Sequence, residues 1–129
     1  MNPVMQVSLF SERFVVLSEF YRDVFGLIEN EGLRSDVFRG YMSDEVMIGF
    51  SAPAAYEMLG LEPRKPGEGD QTALTFKFDT TAELDTAVVT AKERGATLIK
   101  AQFMTYYDWY MAVLRDPDGN ALRLACPTP

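Results

Sequence analysis

Leu74-Thr75-Phe76-Lys77-Phe78-Asp79-Thr80-Thr81-Ala82-Glu83-Leu84 is the stretch on which the reading of this chain turns. Leu74, Phe76 and Phe78 alternate with Thr75 and Lys77, the period-two pattern of a strand with one buried face. Thr80 followed three residues later by Glu83 is a capping-box pattern, so a helix should start there. Its apolar stripe is Leu84, Ala87, Val88 and Ala91. Lys92 and Arg94 suit the negative end of the helix dipole, and Gly95 supplies the usual terminator.

Working outward, the same grammar occurs 69 residues earlier, where Met5, Val7, Leu9, Ser11 and Gly26 match Leu74, Phe76, Phe78, Thr80 and Gly95. A strand is predicted from about Val4 to Phe10. Ser11 is then the expected cap of a helix burying Phe14, Leu17, Phe20, Tyr21 and Val24. Strand-like runs follow each helix: Leu27 to Glu29, Asp36 to Met42 and Glu45 to Ser51, then Thr97 to Ala101, Met104 to Arg115 and Ala121 to Cys126. The last two are joined by Asp116-Pro117-Asp118-Gly119, a tight-turn sequence. The chain therefore reads as α+β, with two βαβββ modules. One strand-helix unit cannot bury its own apolar face, which gives the repeat a physical reason.

Module one is read as residues 1–51 and module two as 72–129, within a single domain of 129 residues; 52–71, rich in Pro and Gly, is read as a connector. Tyr56, Met58 and Leu59 either fold over a pocket mouth or belong to a surface linker. With 14.5 kDa and 47% apolar residues the chain can fill one core. No apolar run reaches the ~18 residues of a membrane helix, and Met1-Asn2-Pro3 lacks a basic leader region. A cytoplasmic protein without a membrane partner is expected. The lone Cys126 permits no internal disulfide and reads as a buried hydrophobe. A net charge of -7 opposes nucleic-acid binding.

Within this repeated frame, Phe20-Tyr21-Arg22-Asp23-Val24-Phe25-Gly26-Leu27 and Arg115-Asp116-Pro117-Asp118-Gly119-Asn120 resemble the vicinal oxygen chelate superfamily of glyoxalases, bleomycin-resistance proteins and extradiol dioxygenases. The resemblance spans essentially the whole chain. It implies two modules curled into a partly open mixed sheet with helices outside, a ligand in the concave space, and a homodimer. It also implies a divalent metal held by histidine or glutamine on the first strands and glutamate on the last strands. The residues depart from that pattern. The first-strand position falls on Gln6, otherwise a polar strand residue bonded to its neighbours. Its second-module counterpart is Ala73 or Thr75, and Arg123 stands where the last glutamate is expected. Met47 to Ser51 holds no carboxylate, and the chain has no histidine. Metals need a convergent set of nitrogen, sulfur or carboxylate donors. No metal and no other cofactor is expected, and a metal-dependent lyase or dioxygenase is disfavoured.

The densest chemical feature is Phe103-Met104-Thr105-Tyr106-Tyr107-Asp108-Trp109-Tyr110-Met111. As a strand it would put Tyr107, Trp109 and Met111 on one face and Tyr106, Asp108 and Tyr110 on the other. Aromatic faces stack on flat ligands or attract cations, although ordinary core packing explains such residues equally well. Phe38, Tyr41, Met47 and Phe50 occupy the matching region of module one and read either as the opposite wall or, residue by residue, as ordinary core. Arg123 either anchors a ligand carboxylate or phosphate or pairs with an acid at the rim. The leading expectation is a metal-independent protein that binds a flat, largely apolar small molecule through Gln6, Phe38, Tyr41, Met47, Phe50, Tyr107, Trp109, Met111 and Arg123. The alternative is a metal-independent isomerase, cyclase or hydrolase-like enzyme using Tyr106, Tyr107 or Asp108 for proton transfer near Arg123.

Overall fold

Alternating Val7 and Leu9 need a covered face, and the helix that follows provides it. In a computed structural model describing residues 1–129, the chain divides into two units, Met1–Glu68 and Gly69–Pro129. The first contains β1 (Gln6–Phe10), α1 (Phe14–Phe25), β2 (Ile28–Glu29), a 3₁₀ turn (Glu31–Leu33), β3 (Phe38–Ser43), β4 (Val46–Ser51) and α2 (Ala54–Leu59). Its sheet runs β1-β4-β3-β2, with β1 and β4 parallel and the other neighbours antiparallel. The second contains β5 (Leu74–Lys77), α3 (Thr81–Glu93), β6 (Thr97–Met104), β7 (Tyr110–Arg115) and β8 (Ala121–Cys126). Its sheet order, β5-β8-β7-β6, is the same arrangement. Each unit is thus one βαβββ module built on a mixed four-stranded sheet.

In the first unit α1 buries Leu17, Phe20 and Tyr21. The Tyr21 ring lies 5.1 Å from Phe50, and Phe50 meets Tyr41 edge-on at 5.9 Å. The helix stops at Gly26, whose left-handed φ of 72° lets its N–H reach the Arg22 carbonyl at 2.9 Å. In the second unit α3 buries Leu84, Ala87, Val88 and Ala91, the predicted stripe, over the fully buried Leu114, Leu122 and Leu124. Thr80 caps it, accepting the Glu83 N–H at 3.1 Å.

Three sequence expectations are corrected. Ser11 does not cap α1: the helix starts three residues later, and the Ser11 hydroxyl accepts the Arg13 N–H at 2.9 Å in the preceding turn. Residues 54–59 of the expected connector are helical and end at Gly60 with φ of 69°. The aromatic run is not one strand. Thr105–Trp109 forms a tight turn, in which the Thr105 N–H binds the Trp109 carbonyl at 2.8 Å and the Thr105 hydroxyl accepts the Trp109 N–H at 2.9 Å. Asp108 sits there at φ of 63°, a left-handed conformation that Asp tolerates better than most residues.

The Asp116 turn closes as expected, with the Gly119 N–H donating to the Asp116 carbonyl at 2.9 Å. The buried Asp116 carboxylate also accepts the Asp118 and Asn120 backbone N–H groups at 2.9 and 3.0 Å. No helix is long and apolar enough to cross a membrane.

Candidate functional site

Strand register decides which face each side chain takes, because directly paired residues share a face and successive residues along a strand do not. On the first sheet, Tyr41 pairs with Ile48 and Arg39 with Phe50, and this face carries α1. The opposite face is laid out in three rows across β1, β4 and β3: Gln6, Met47, Met42; Ser8, Gly49, Gly40; and Phe10, Ser51, Phe38. The middle row has almost no side-chain volume. It is the floor of a groove whose flanking rows each stand about 7 Å, two residue rises, away along the strands.

Side chains from both flanking rows lean into this groove. A methyl group on Gly49 would come within 2.5 Å of Gln6 Nε2 and 2.8 Å of the Phe38 ring. One on Gly40 would meet Met47 Sδ at 2.6 Å and Phe38 at 3.1 Å. All four contacts are made by side-chain atoms and none by backbone. At its Phe10 end, Tyr56 of α2 stacks on Phe10 with ring centroids 4.4 Å apart. The Gln6 amide also donates to Ser8 Oγ at 3.0 Å.

The candidate residues of the first unit therefore separate. Gln6, Phe38 and Met47 gather at the groove. Tyr41 and Phe50, 3% and 0% exposed, lie in the core on the α1 face. There the Tyr41 hydroxyl donates to Glu29 at 3.2 Å, and burial raises its pKa. Arg34 grips the same carboxylate at 2.6 and 2.8 Å, holding Glu29 below the usual carboxylate range.

On the second sheet the face away from α3 carries Thr75, Arg123 and Val113 in one row and Lys77, Ala125 and Met111 in the next. Arg123 Nε donates to Thr75 Oγ1 at 2.8 Å. This register settles the choice between Ala73 and Thr75: Thr75 opposes Arg123 as Gln6 opposes Met47. Met111 is buried on this face, whereas Tyr107 and Trp109 lie in the β6–β7 turn, in edge-on contact at 5.1 Å. Tyr106 is 97% exposed. Tyr110 faces α3, where its hydroxyl donates to Asp85 at 2.7 Å and its pKa is raised by that bond.

The metal implied by the resemblance does not fit these residues. Opposite Gln6 stands a thioether, and opposite Thr75 a guanidinium. The chain holds no group of three or more His, Cys, Asp or Glu side chains able to bind a metal ion. Sequence reasoning missed Gly40, Gly49 and Phe10, and named Tyr56 only as a residue that folds over a pocket mouth or belongs to a linker. An isolated glycine inside a strand pattern signals close approach or a missing wall, and that signal was present at both glycines.

Two βαβββ modules on mixed four-stranded sheets, with no closed barrel, define the class of protein. Residues 7–124 match the model of the Glyoxalase/Bleomycin resistance protein/Dioxygenase superfamily. The crystal structure of a family enzyme from Burkholderia phytofirmans PsJN is 41% identical, with a TM-score of 0.91 over 97% of this chain and 98% of that one. The chain belongs to this superfamily.

Two further structures share the fold. A glyoxalase-related enzyme from Fulvimarina pelagi is 17% identical, with a TM-score of 0.85 over 98% of this chain and 88% of that one. A lactoylglutathione lyase from Agrobacterium tumefaciens is 21% identical, with a TM-score of 0.72 over 98% and 94%. No curated protein matches the chain.

Proposed function

We propose that this chain is a metal-independent small-molecule-binding member of its superfamily, taking a flat, largely apolar ligand into the groove of the first sheet. The observation that carries this reading is the Ser8-Gly49-Gly40 row, flanked by Phe38, Met47 and Gln6. The flat Ser8-Gly49-Gly40 floor, with its flanking rows about 13 Å apart, gives a planar ring van der Waals contact once Phe38 and Met47 turn aside. Phe38, turned out of the groove, stacks on the bound ring. Met47 adapts to its outline, and Gln6 supplies one hydrogen-bonding amide. Nothing in the groove is suited to proton transfer, which supports binding over turnover.

The acid-base alternative draws no support from Tyr106, Tyr107 and Asp108, since they occupy the β6–β7 turn. From Trp109 to Val113, the β7 partner of Arg123, is four residues, or about 13 Å along the strand. Cytoplasmic location and a homodimer of twice 14.5 kDa complete the proposal. Sedimentation equilibrium checks the second point.

Thermal-shift screening of flat aromatic compounds tests the function, with Gly49→Ala as the control. A methyl group there occupies the groove floor. Compounds that stabilise the wild type should fail to stabilise the variant. If the panel stabilises neither protein, or both equally, the groove is not the site.

A further inference from the structure

Arg123 is placed at the centre of a sheet face with one hydrogen bond and no carboxylate. Arg22, Arg34 and Arg115 each reach an acid: Asp23 at 2.9 Å, Glu29 at 2.6 Å and Asp70 at 2.7 Å. Arg123 makes only the bond from Nε to Thr75 Oγ1 at 2.8 Å, which leaves both Nη groups without a protein partner. That one bond matters for orientation. Thr75 stands directly across from Arg123 on the neighbouring strand, so the guanidinium plane is fixed while its outer edge remains available. Lys77 lies two residues along β5 on the same face, about 7 Å from Thr75, and it too has no acidic partner. The same face carries Met111 and Ala125, both buried, so the cation is seated beside apolar surface rather than on a polar rim.

A protein with seven excess negative charges has many acids available to neutralise an arginine. A guanidinium held in one orientation beside apolar side chains offers a planar pair of donors matched to a carboxylate. We infer that the face of the second sheet away from α3 is a binding site for the carboxylate of a small organic acid, with Arg123 as its anchor, Thr75 as the residue that orients Arg123, and Lys77 adding charge. This site stands independently of the groove on the first sheet. It was open in the sequence as one of two roles for Arg123; the structure shows no acid at the rim to take the other.

The test uses the whole chain, with benzoate and benzamide as matched probes of one shape and different charge. Binding is followed by methyl NMR of the methionines: Met111 reports the second sheet, and Met42 and Met47 report the groove. Benzoate should shift Met111 and bind about tenfold more tightly than benzamide, a preference that added salt weakens. Arg123→Gln should abolish the preference. Thr75→Val keeps the cation but releases it, and should weaken benzoate several-fold with little effect on benzamide. Melting temperatures of both variants confirm that they fold.

Equal binding of the two probes by the wild type would overturn the inference, as would a preference that survives in Arg123→Gln. Benzoate shifts confined to Met42 and Met47 would place the ring in the groove and leave this site refuted. Shifts at Met111 alone would establish the carboxylate site.

Discussion

The two modules can be compared row for row, because β1 pairs with β4 as β5 pairs with β8. Gln6, Met47 and Met42 occupy the row that Thr75, Arg123 and Val113 occupy in the second sheet. The next row is Ser8, Gly49, Gly40 in one and Lys77, Ala125, Met111 in the other. The repeated backbone has therefore been emptied in one copy and filled and charged in the other. Beneath the helices the contrast is different. Phe20, Tyr21, Tyr41 and Phe50 make an aromatic core in the first unit, whereas Leu84, Ala87, Leu122 and Leu124 make an aliphatic one in the second. Duplication has preserved strand pairing and helix placement and left side-chain chemistry free to diverge.

The sharpest way to break this comparison is in the cores. Phe50→Ala should cost about 3–5 kcal/mol, because a fully buried ring against Tyr21 and Tyr41 leaves a large cavity. Leu124→Ala should cost about 2–5 kcal/mol in the second unit. Urea denaturation measures both. A loss below about 1 kcal/mol at Phe50 would remove it from the core and return it to the surface.

The helix starts come next. Thr80→Ala should lower stability by about 1 kcal/mol and speed hydrogen exchange at the Glu83 amide. Ser11→Ala should speed exchange at the Arg13 amide without loosening the first turn of α1. Accelerated exchange throughout that turn would show that Ser11 caps the helix after all.

A smaller effect follows from the Arg34–Glu29 pair. Glu29 has a folded-state pKa below its ordinary value of 4.5, so it stabilises the fold above that value. The contribution disappears as pH falls through the lowered pKa. Because Arg34 is half exposed, solvent screening keeps the amount small. Arg34→Gln should flatten this part of the acid limb in a pH series of melting curves, and an unchanged limb would contradict the assignment.

The smallest expected effect is at the β6–β7 turn. Tyr106→Ala should change stability by less than about 0.5 kcal/mol, since the side chain is almost fully exposed. A loss above 1 kcal/mol would show that the turn packs against something in solution.

Much of the fold was legible because its signals are local. The Leu74–Phe78 alternation, the Thr80–Glu83 box and the glycines at 26 and 95 each specify structure within a few residues. What escaped was equally local but disguised. Pro53 and Gly60 bracket Ala54-Ala55-Tyr56-Glu57-Met58-Leu59, all workable helix residues, in a stretch whose proline and glycine content reads as a linker. Thr105 and Asp108 are turn residues hidden among aromatics that favour strands.

The candidate site was half legible. Phe38 and Tyr41 are three residues apart on one strand, as are Met47 and Phe50, and an odd spacing puts each pair on opposite faces. Which member faces the helix depends on pairing between strands distant in sequence, and so does the meeting of Gly40 with Gly49. No local pattern contains that information.

The central claim is that the Gly40–Gly49 groove takes a flat ligand without a metal. Its most direct test is a titration of methionine-methyl-labelled protein with a flat, uncharged aromatic hit from the thermal screen, with and without EDTA. Saturable shifts at Met42 and Met47 that EDTA leaves unchanged, and that Gly49→Ala removes, are the predicted result. Binding that appears only after zinc, nickel or iron is supplied, or that persists unchanged in Gly49→Ala, would contradict it.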